Sequence, residues 1–167
     1  MAEELDYDII SLQGKWQSDY PKANIQQKQI IDNDEGRLFF IDGPGGTGKT
    51  FVENLILAHV RSKRYIALAI TSSGIAAILL EGGRTSHSRF KIPLDILPDG
   101  MCNITAQSAL AELLCQTKLI IWDEAPAQHR YCFEVVDRTL RDIRKNDTWF
   151  GGITMVFAGI YPHGSHH

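Results

Sequence analysis

The stretch LFFIDGPGGTGKT, Leu38 to Thr50, decides the reading of this chain. An apolar run (Leu38, Phe39, Phe40, Ile41) leads into a glycine-rich turn, and the turn opens a segment with helical periodicity. Strand, glycine turn and helix in that order are what a phosphate-binding loop requires. The glycines Gly43, Gly45, Gly46 and Gly48 are expected to allow positive φ and close approach to a polyanion. Pro44 and Thr47 complete the loop. Its successive N–H groups then face phosphate oxygens, and the following helix adds the positive end of its dipole. Lys49 is placed to reach the terminal phosphates and the Thr50 hydroxyl to ligate Mg2+. The segment predicts a nucleoside triphosphate site.

Working outward, a strand is expected over 37–42, a helix over 50–62 with Val52, Leu55, Ile56 and Val60 on one face, and a buried strand over 65–70. The loop Thr71-Ser72-Ser73-Gly74 follows, then a helix over 75–80 that Gly82 and Gly83 end. The polar, proline-punctuated connection 84–103 is the longest irregular stretch, of a length that is unusual unless functional. Further on come a helix over 106–115 (apolar stripe Ala106, Leu110, Leu113, Leu114), a strand over 118–122 and an amphipathic helix over 131–145. That last helix turns Phe133, Val136, Leu140 and Ile143 inward and its arginines outward, and a final strand covers 153–158. A short helix over 24–33 precedes the first strand. Strands alternating with helices imply an α/β fold with a mainly parallel central sheet covered on both faces. Ligands in such sheets bind beyond the carboxyl ends of the strands, where Gly43 and Asp123 fall.

The run Leu119-Ile120-Ile121-Trp122-Asp123-Glu124-Ala125 supplies the second half of the site. An aspartate at a strand end can hold Mg2+, and the next carboxylate can orient or deprotonate an attacking water. The second acid favours a hydrolase over a kinase. No Asn-Lys-x-Asp guanine reader is present, which favours ATP over GTP. Gln27 has two readings: it closes a capping box with Asn24, or its amide pairs with the adenine edge.

The chain has 167 residues, 44% of them hydrophobic, enough for one core of ordinary size, and a formal charge of −3. That balance excludes a protein held to nucleic acid by overall positive charge, although Arg84, Arg89 and Lys91 form a local basic cluster. Cys102, Cys115 and Cys132 are odd in number and lack metal-ligand spacing, and they read as buried thiols in a reducing compartment. No apolar run approaches the roughly 20 residues of a membrane span. The acidic start MAEELDYD lacks the layout of a secretion signal, and the ending HGSHH reads as an expression tag. The organisation expected is a lead-in (1–23), one domain (24–160) and a tail (161–167).

Five blocks taken together resemble the PIF-type (petite integration frequency) DNA helicases of superfamily one, relatives of RecD. They are N-I-Q-Q-K from Asn24, GPGGTGKT from Gly43, TSSGIAA from Thr71 with TSHSRFKIP from Thr85, IIWDEAPAQHRYCFEVVDRTLRDI from Ile120, and FGGITMVFAG from Phe150. The block around Asp123-Glu124-Ala125-Pro126 is far more specific than the phosphate loop. The resemblance implies a three-layer, RecA-like P-loop NTPase domain, the first motor lobe (1A) of an ATP- and Mg2+-dependent translocase. Such an enzyme moves 5′ to 3′ on single-stranded DNA and unwinds duplexes and G-quadruplexes. It implies that Gln27 reads adenine, that Gly43 to Thr50 hold phosphates, that Thr50 and Asp123 hold the metal and that Glu124 activates water. Thr71, Ser72, Ser73, Gly74, His87, Ser88 and Phe90 would lie along the DNA.

Short hydroxyls and free N–H groups do grip phosphates without reading sequence, and Phe90 and His87 offer faces on which a base can stack. Against that, Phe90 with Ile92 and Leu94 would equally pin the long loop to the core, His87 would cap a turn, and Ser72-Ser73 would be an ordinary turn. His129 is either a DNA or lobe contact or a plain surface histidine. The chain departs from the family at its end, where Gly159-Ile160-Tyr161-Pro162-His163 replaces Gly-Asp-Phe-Arg-Gln. The γ-phosphate-sensing glutamine and the second RecA-like lobe with its arginine finger, worth roughly a thousandfold or more in rate, are therefore not part of the likeness. The expectation is an excised first lobe that binds ATP–Mg2+ and part of a DNA strand but is nearly inactive alone. The alternative is a nucleotide-gated DNA- or protein-binding module that hydrolyses nothing. Family likeness implies an intracellular, nuclear or mitochondrial setting without a membrane.

Overall fold

The computed structural model describes residues 38–43 and 48–161. The helix expected over 24–33, the lead-in, Gln27, loop residues Pro44, Gly45, Gly46 and Thr47, and most of the tail lie outside the described residues. Among the described residues, five parallel strands form one sheet in the order β1-β5-β4-β2-β3. These are β1 (Leu38–Asp42), β2 (Ile66–Thr71), β3 (Arg84–Thr85), β4 (Thr117–Asp123) and β5 (Thr154–Gly159). The helices among the described residues are α1 (Gly48–Ser62), α2 (Gly74–Ala77), α3 (Ser86–Phe90), α4 (Ala109–Gln116) and α5 (Arg130–Arg144), with short 3-10 turns at Ala125–Ala127 and Trp149–Gly152.

Strand alternation sorts the apolar residues onto two faces. Leu68, Ile70, Ile120, Trp122, Met155 and Phe157 join Leu113, Val136 and Leu140 in one cluster on the α4 and α5 side. Ala67, Ala69, Leu119, Ile121 and Val156 pack against Val52, Leu55 and Ile56 of α1 on the other. The three-layer α/β fold expected from the sequence is therefore present. β2 and β5 are buried along their whole length, whereas β1, at the sheet edge, alternates and leaves Phe40 exposed.

Several local expectations change. The helix placed over 75–80 is the four-residue α2, and Ile75, Ile78 and Leu79 are exposed. The connection expected to be irregular from Arg84 contains β3 and α3, because Thr85 caps α3 by accepting from Ser88 N at 3.2 Å and Phe90 anchors it. α4 begins at Ala109, where Ser108 accepts from Ala111 N, so Ala106 is exposed and outside it. Tyr65 is exposed and precedes β2. Cys115 is exposed, unlike the buried Cys102 and Cys132. The arginines of α5 do not all point to solvent. Arg144 donates to the carbonyls of Gly151, Leu114, Cys115 and Thr117, tying α5 to the end of α4 and the start of β4.

Candidate functional site

Parallel strands put their carboxyl ends along one edge of the sheet. Thr71 of β2 stands in register with Asp123 of β4 and with Thr85 of β3. At β1 the Gly43 N–H donates to the Gly159 carbonyl at 3.1 Å, which binds the first residue of the phosphate loop to the end of β5. Gly159 has φ +156°, and a Cβ there would lie 2.5 Å from Pro126 Cδ. A glycine at 159 lets the Asp123-Glu124-Ala125-Pro126 turn close over the sheet edge. Gly43 and Gly48 are not at positive φ, and a Cβ on either would meet nothing within 4 Å among the described residues. The sequence expectation of left-handed backbone at those two is thus corrected: α1 already begins at Gly48.

Lys49, in the first turn of α1, reaches across to β4. Its Nζ lies 2.6 Å from Asp123 Oδ1 and 3.9 Å from Glu53 Oε1, one helical turn along. All three side chains are nearly or fully buried. Neither Glu53 oxygen has a hydrogen-bond partner among the described residues. Burial, reinforced by the negative charge of Asp123 and opposed by Lys49, pushes the Glu53 carboxyl up to about 8. Sequence reading passed over Glu53. The signal was an acid four residues after the loop lysine, between Val52 and Leu55 on the inward face of α1.

Lys49, Thr50, Asp123 and Glu124 line one cavity of about 280 Å3, together with Ala76, Leu79, Pro126 and Gly159. A second cavity, of about 290 Å3 and lined by Phe40, Phe133, Phe157 and Tyr161 among others, has no carboxylate in its wall. A smaller one, of about 170 Å3, includes Glu134 and Asp137 but no residue of the phosphate loop. Thr50 and Asp123 present hard oxygen donors, and Mg2+ is held by one or two protein ligands with phosphates and waters completing its shell. The donor set fits that ion. Glu124 adopts left-handed backbone (φ 53°, ψ 33°). That turn aims its carboxylate at the β2–α2 loop, where Ser72 Oγ lies 3.2 Å from Oε2 and Ser73 Oγ lies 3.1 Å from Oε1.

The residues expected along DNA separate into three groups. His87, Ser88 and Gly74 are exposed. Ser72 and Ser73 are half-buried and engaged with Glu124. Thr71 and Phe90 are core: Thr71 is fully buried, and Phe90, 1% exposed, stacks on Trp122 at 5.6 Å. A base cannot reach the Phe90 ring, so that expectation is corrected, as is side-chain contact by Thr71. The basic cluster is likewise broken up, since Arg89 is buried and Arg84 half-buried. His129 caps α5, its Nδ1 accepting from Tyr131 N at 3.1 Å. Gln128, unnoticed in the sequence, accepts from the buried Ser86 at 2.7 Å and ties α3 to the turn after β4.

Residues 22–162 match the model of the PIF1-like helicase family. The chain is 32% identical over 128 residues to the ATP-dependent DNA helicase Pif1 of Psychrobacter sp., covering 75% of this chain and 19% of that protein. It is 33% identical over 127 residues to the ATP-dependent DNA helicase RRM3 of Saccharomyces cerevisiae, covering 73% of this chain and 17% of that one. Among solved structures, the Bacteroides Pif1 helicase in complex with ADP-AlF3 and ssDNA superposes with a TM-score of 0.69 at 29% identity, over 82% of this chain and 32% of that chain. The chain therefore spans about a fifth of the length of these curated relatives and about a third of the solved one. By the extent of these matches, this chain belongs to the PIF1-like helicase family.

Proposed function

We propose that this chain is the ATP-binding motor lobe of a 5′-to-3′ single-stranded-DNA translocase that unwinds duplex DNA together with a second RecA-like lobe. The observation that carries the reading is the meeting of Lys49, Thr50, Asp123 and Glu124 around one cavity at the carboxyl edge of a parallel sheet. In this role Lys49 exchanges its contact with Asp123 for the terminal phosphates of ATP. Loop residues Gly43, Pro44, Gly45, Gly46, Thr47 and Gly48 enclose the phosphate tail, and Gln27 reads adenine. Thr50 and Asp123 hold Mg2+, which when bound neutralises charge on the β- and γ-phosphates. Glu124 orients the attacking water and takes its proton.

Support for a DNA substrate comes from the family and from the ssDNA-bound Bacteroides relative. Ser72, Ser73, Gly74, His87 and Ser88 follow the ends of the neighbouring strands β2 and β3, and they would take the DNA backbone. Translocation needs two lobes that open and close on the nucleotide, so the 167 residues alone hydrolyse ATP slowly. A DNA-containing compartment, nucleus or mitochondrion, would be the setting.

The test is ATP hydrolysis with and without oligothymidine, and strand displacement on 5′-tailed and 3′-tailed duplexes, in a longer form carrying both lobes. DNA-stimulated hydrolysis with unwinding of the 5′-tailed substrate alone is expected. Nucleotide binding without any hydrolysis would replace this reading with a nucleotide-gated binding module.

A further inference from the structure

The serines of the β2–α2 loop are engaged with the very carboxylate that faces the reacting water in the reading above. Ser72 Oγ lies 3.2 Å from Glu124 Oε2 and 3.4 Å from the Glu124 carbonyl oxygen. Ser73 Oγ lies 3.1 Å from Oε1 and 3.3 Å from Oε2, and at the same time accepts from Ala76 N at 3.3 Å. Two hydroxyl hydrogens thus occupy two of the roughly four lone-pair positions of the carboxylate. Glu124 holds left-handed backbone to make these contacts. Non-glycine residues keep that conformation where surrounding structure over-determines it, and such residues gather at switch regions.

We propose that Ser72 and Ser73 are positioning residues that restrain Glu124, and that a DNA phosphate competing for the same two hydroxyls releases it. This rests on the reading that the β2–α2 loop meets DNA, and it supplies that reading with a cause for DNA-stimulated hydrolysis. A hydroxyl has a single hydrogen to donate. Donation to a phosphate oxygen and donation to Glu124 therefore exclude one another. With the hydroxyls on the phosphate, Glu124 is free to accept from water, and the length of the path from DNA to the reacting centre is one side chain. Thr71 and Asp123, the residues that precede Ser72 and Glu124, stand in register in the sheet.

Because coupling between two sites is reciprocal, the test needs neither nucleotide nor metal. In the full-length protein, oligothymidine affinity is measured for the wild type, Glu124→Ala, Ser72→Ala/Ser73→Gly, and the triple variant. Glycine is chosen at 73 because it is well tolerated at a helix N-cap. Circular dichroism verifies folding, and Ser72→Ala alone replaces the double change if the latter unfolds. Glu124→Ala is expected to tighten DNA binding roughly fivefold or more in the serine background and to leave it unchanged when the hydroxyls are absent. An equal gain in both backgrounds is a plain charge effect and overturns the proposal. In parallel, Ser72→Ala is expected to raise DNA-independent hydrolysis and lower the stimulation ratio, with Ser72→Thr restoring both. Unchanged values in Ser72→Ala contradict the restraint. Absence of oligothymidine binding by the wild type would instead remove the DNA reading itself, and the coupling with it.

Discussion

Lys49 of the first helical turn and Asp123 at the tip of β4 form a buried ion pair, with Nζ 2.6 Å from Oδ1 and both side chains at most 7% exposed. Two residues 74 apart in the chain are brought together by the sheet order, which places β4 one strand from the phosphate-loop strand with β5 between. Removing the ammonium leaves the buried Asp123 carboxylate uncompensated. Lys49→Ala is expected to abolish measurable ATP binding by calorimetry, and to cost roughly 3–5 kcal/mol in urea denaturation, as breaking a buried pair does. Wild-type ATP affinity in that variant would contradict the loop assignment.

Glu53 gives the pH dependence. An unfolded glutamate binds its proton only near and below 4.5, whereas the native Glu53 keeps it up to about 8. Between those values the native state holds more protons than the unfolded state, so stability falls as pH rises. The stabilising contribution is complete below about 4.5 and lost by about 8. The unfolding free energy from urea denaturation should decline between pH 5 and 8, by an amount on the order of a few kcal/mol. Glu53→Gln, which stays neutral, should flatten that decline. An identical slope in the variant would show that Glu53 is ionised throughout.

Glu124→Gln separates binding from chemistry. The amide keeps the size of the side chain but takes no proton, so ATP affinity should hold while hydrolysis in the full-length enzyme drops roughly 10²- to 10⁴-fold. Single-turnover phosphate release measures this, and a rate within a few-fold of wild type would count against the role of Glu124.

Much of this site was legible in the sequence, because strand, glycine turn and helix around Lys49, and the apolar run ending in Asp123-Glu124, are local patterns. What stayed hidden depends on tertiary contact. Phe90 has the same one-dimensional signature whether a base or Trp122 covers its face, and only packing assigns it to the core. Ser72 and Ser73 read as a polar turn, yet their hydroxyls turn to Glu124, a partner 52 and 51 residues away. Glu53 lay in plain view at helical spacing from Lys49, but its burial follows from α1 packing flat on the sheet.

Phe90→Ala tests that correction. Deleting a ring 1% exposed and stacked on Trp122 should cost roughly 3–5 kcal/mol in chemical denaturation. Oligothymidine affinity per folded molecule should not change. Unaltered stability with weakened DNA binding would return Phe90 to the DNA surface.

The most direct measurement is a crystal structure of the protein with a non-hydrolysable ATP analogue, Mg2+ and a short oligothymidine. The account predicts the γ-phosphate beside Lys49 Nζ, the Lys49–Asp123 contact opened, and Asp123 with Thr50 turned to the metal. A nucleotide seated away from the cavity between α1 and β4, with Lys49 still paired to Asp123, would contradict it.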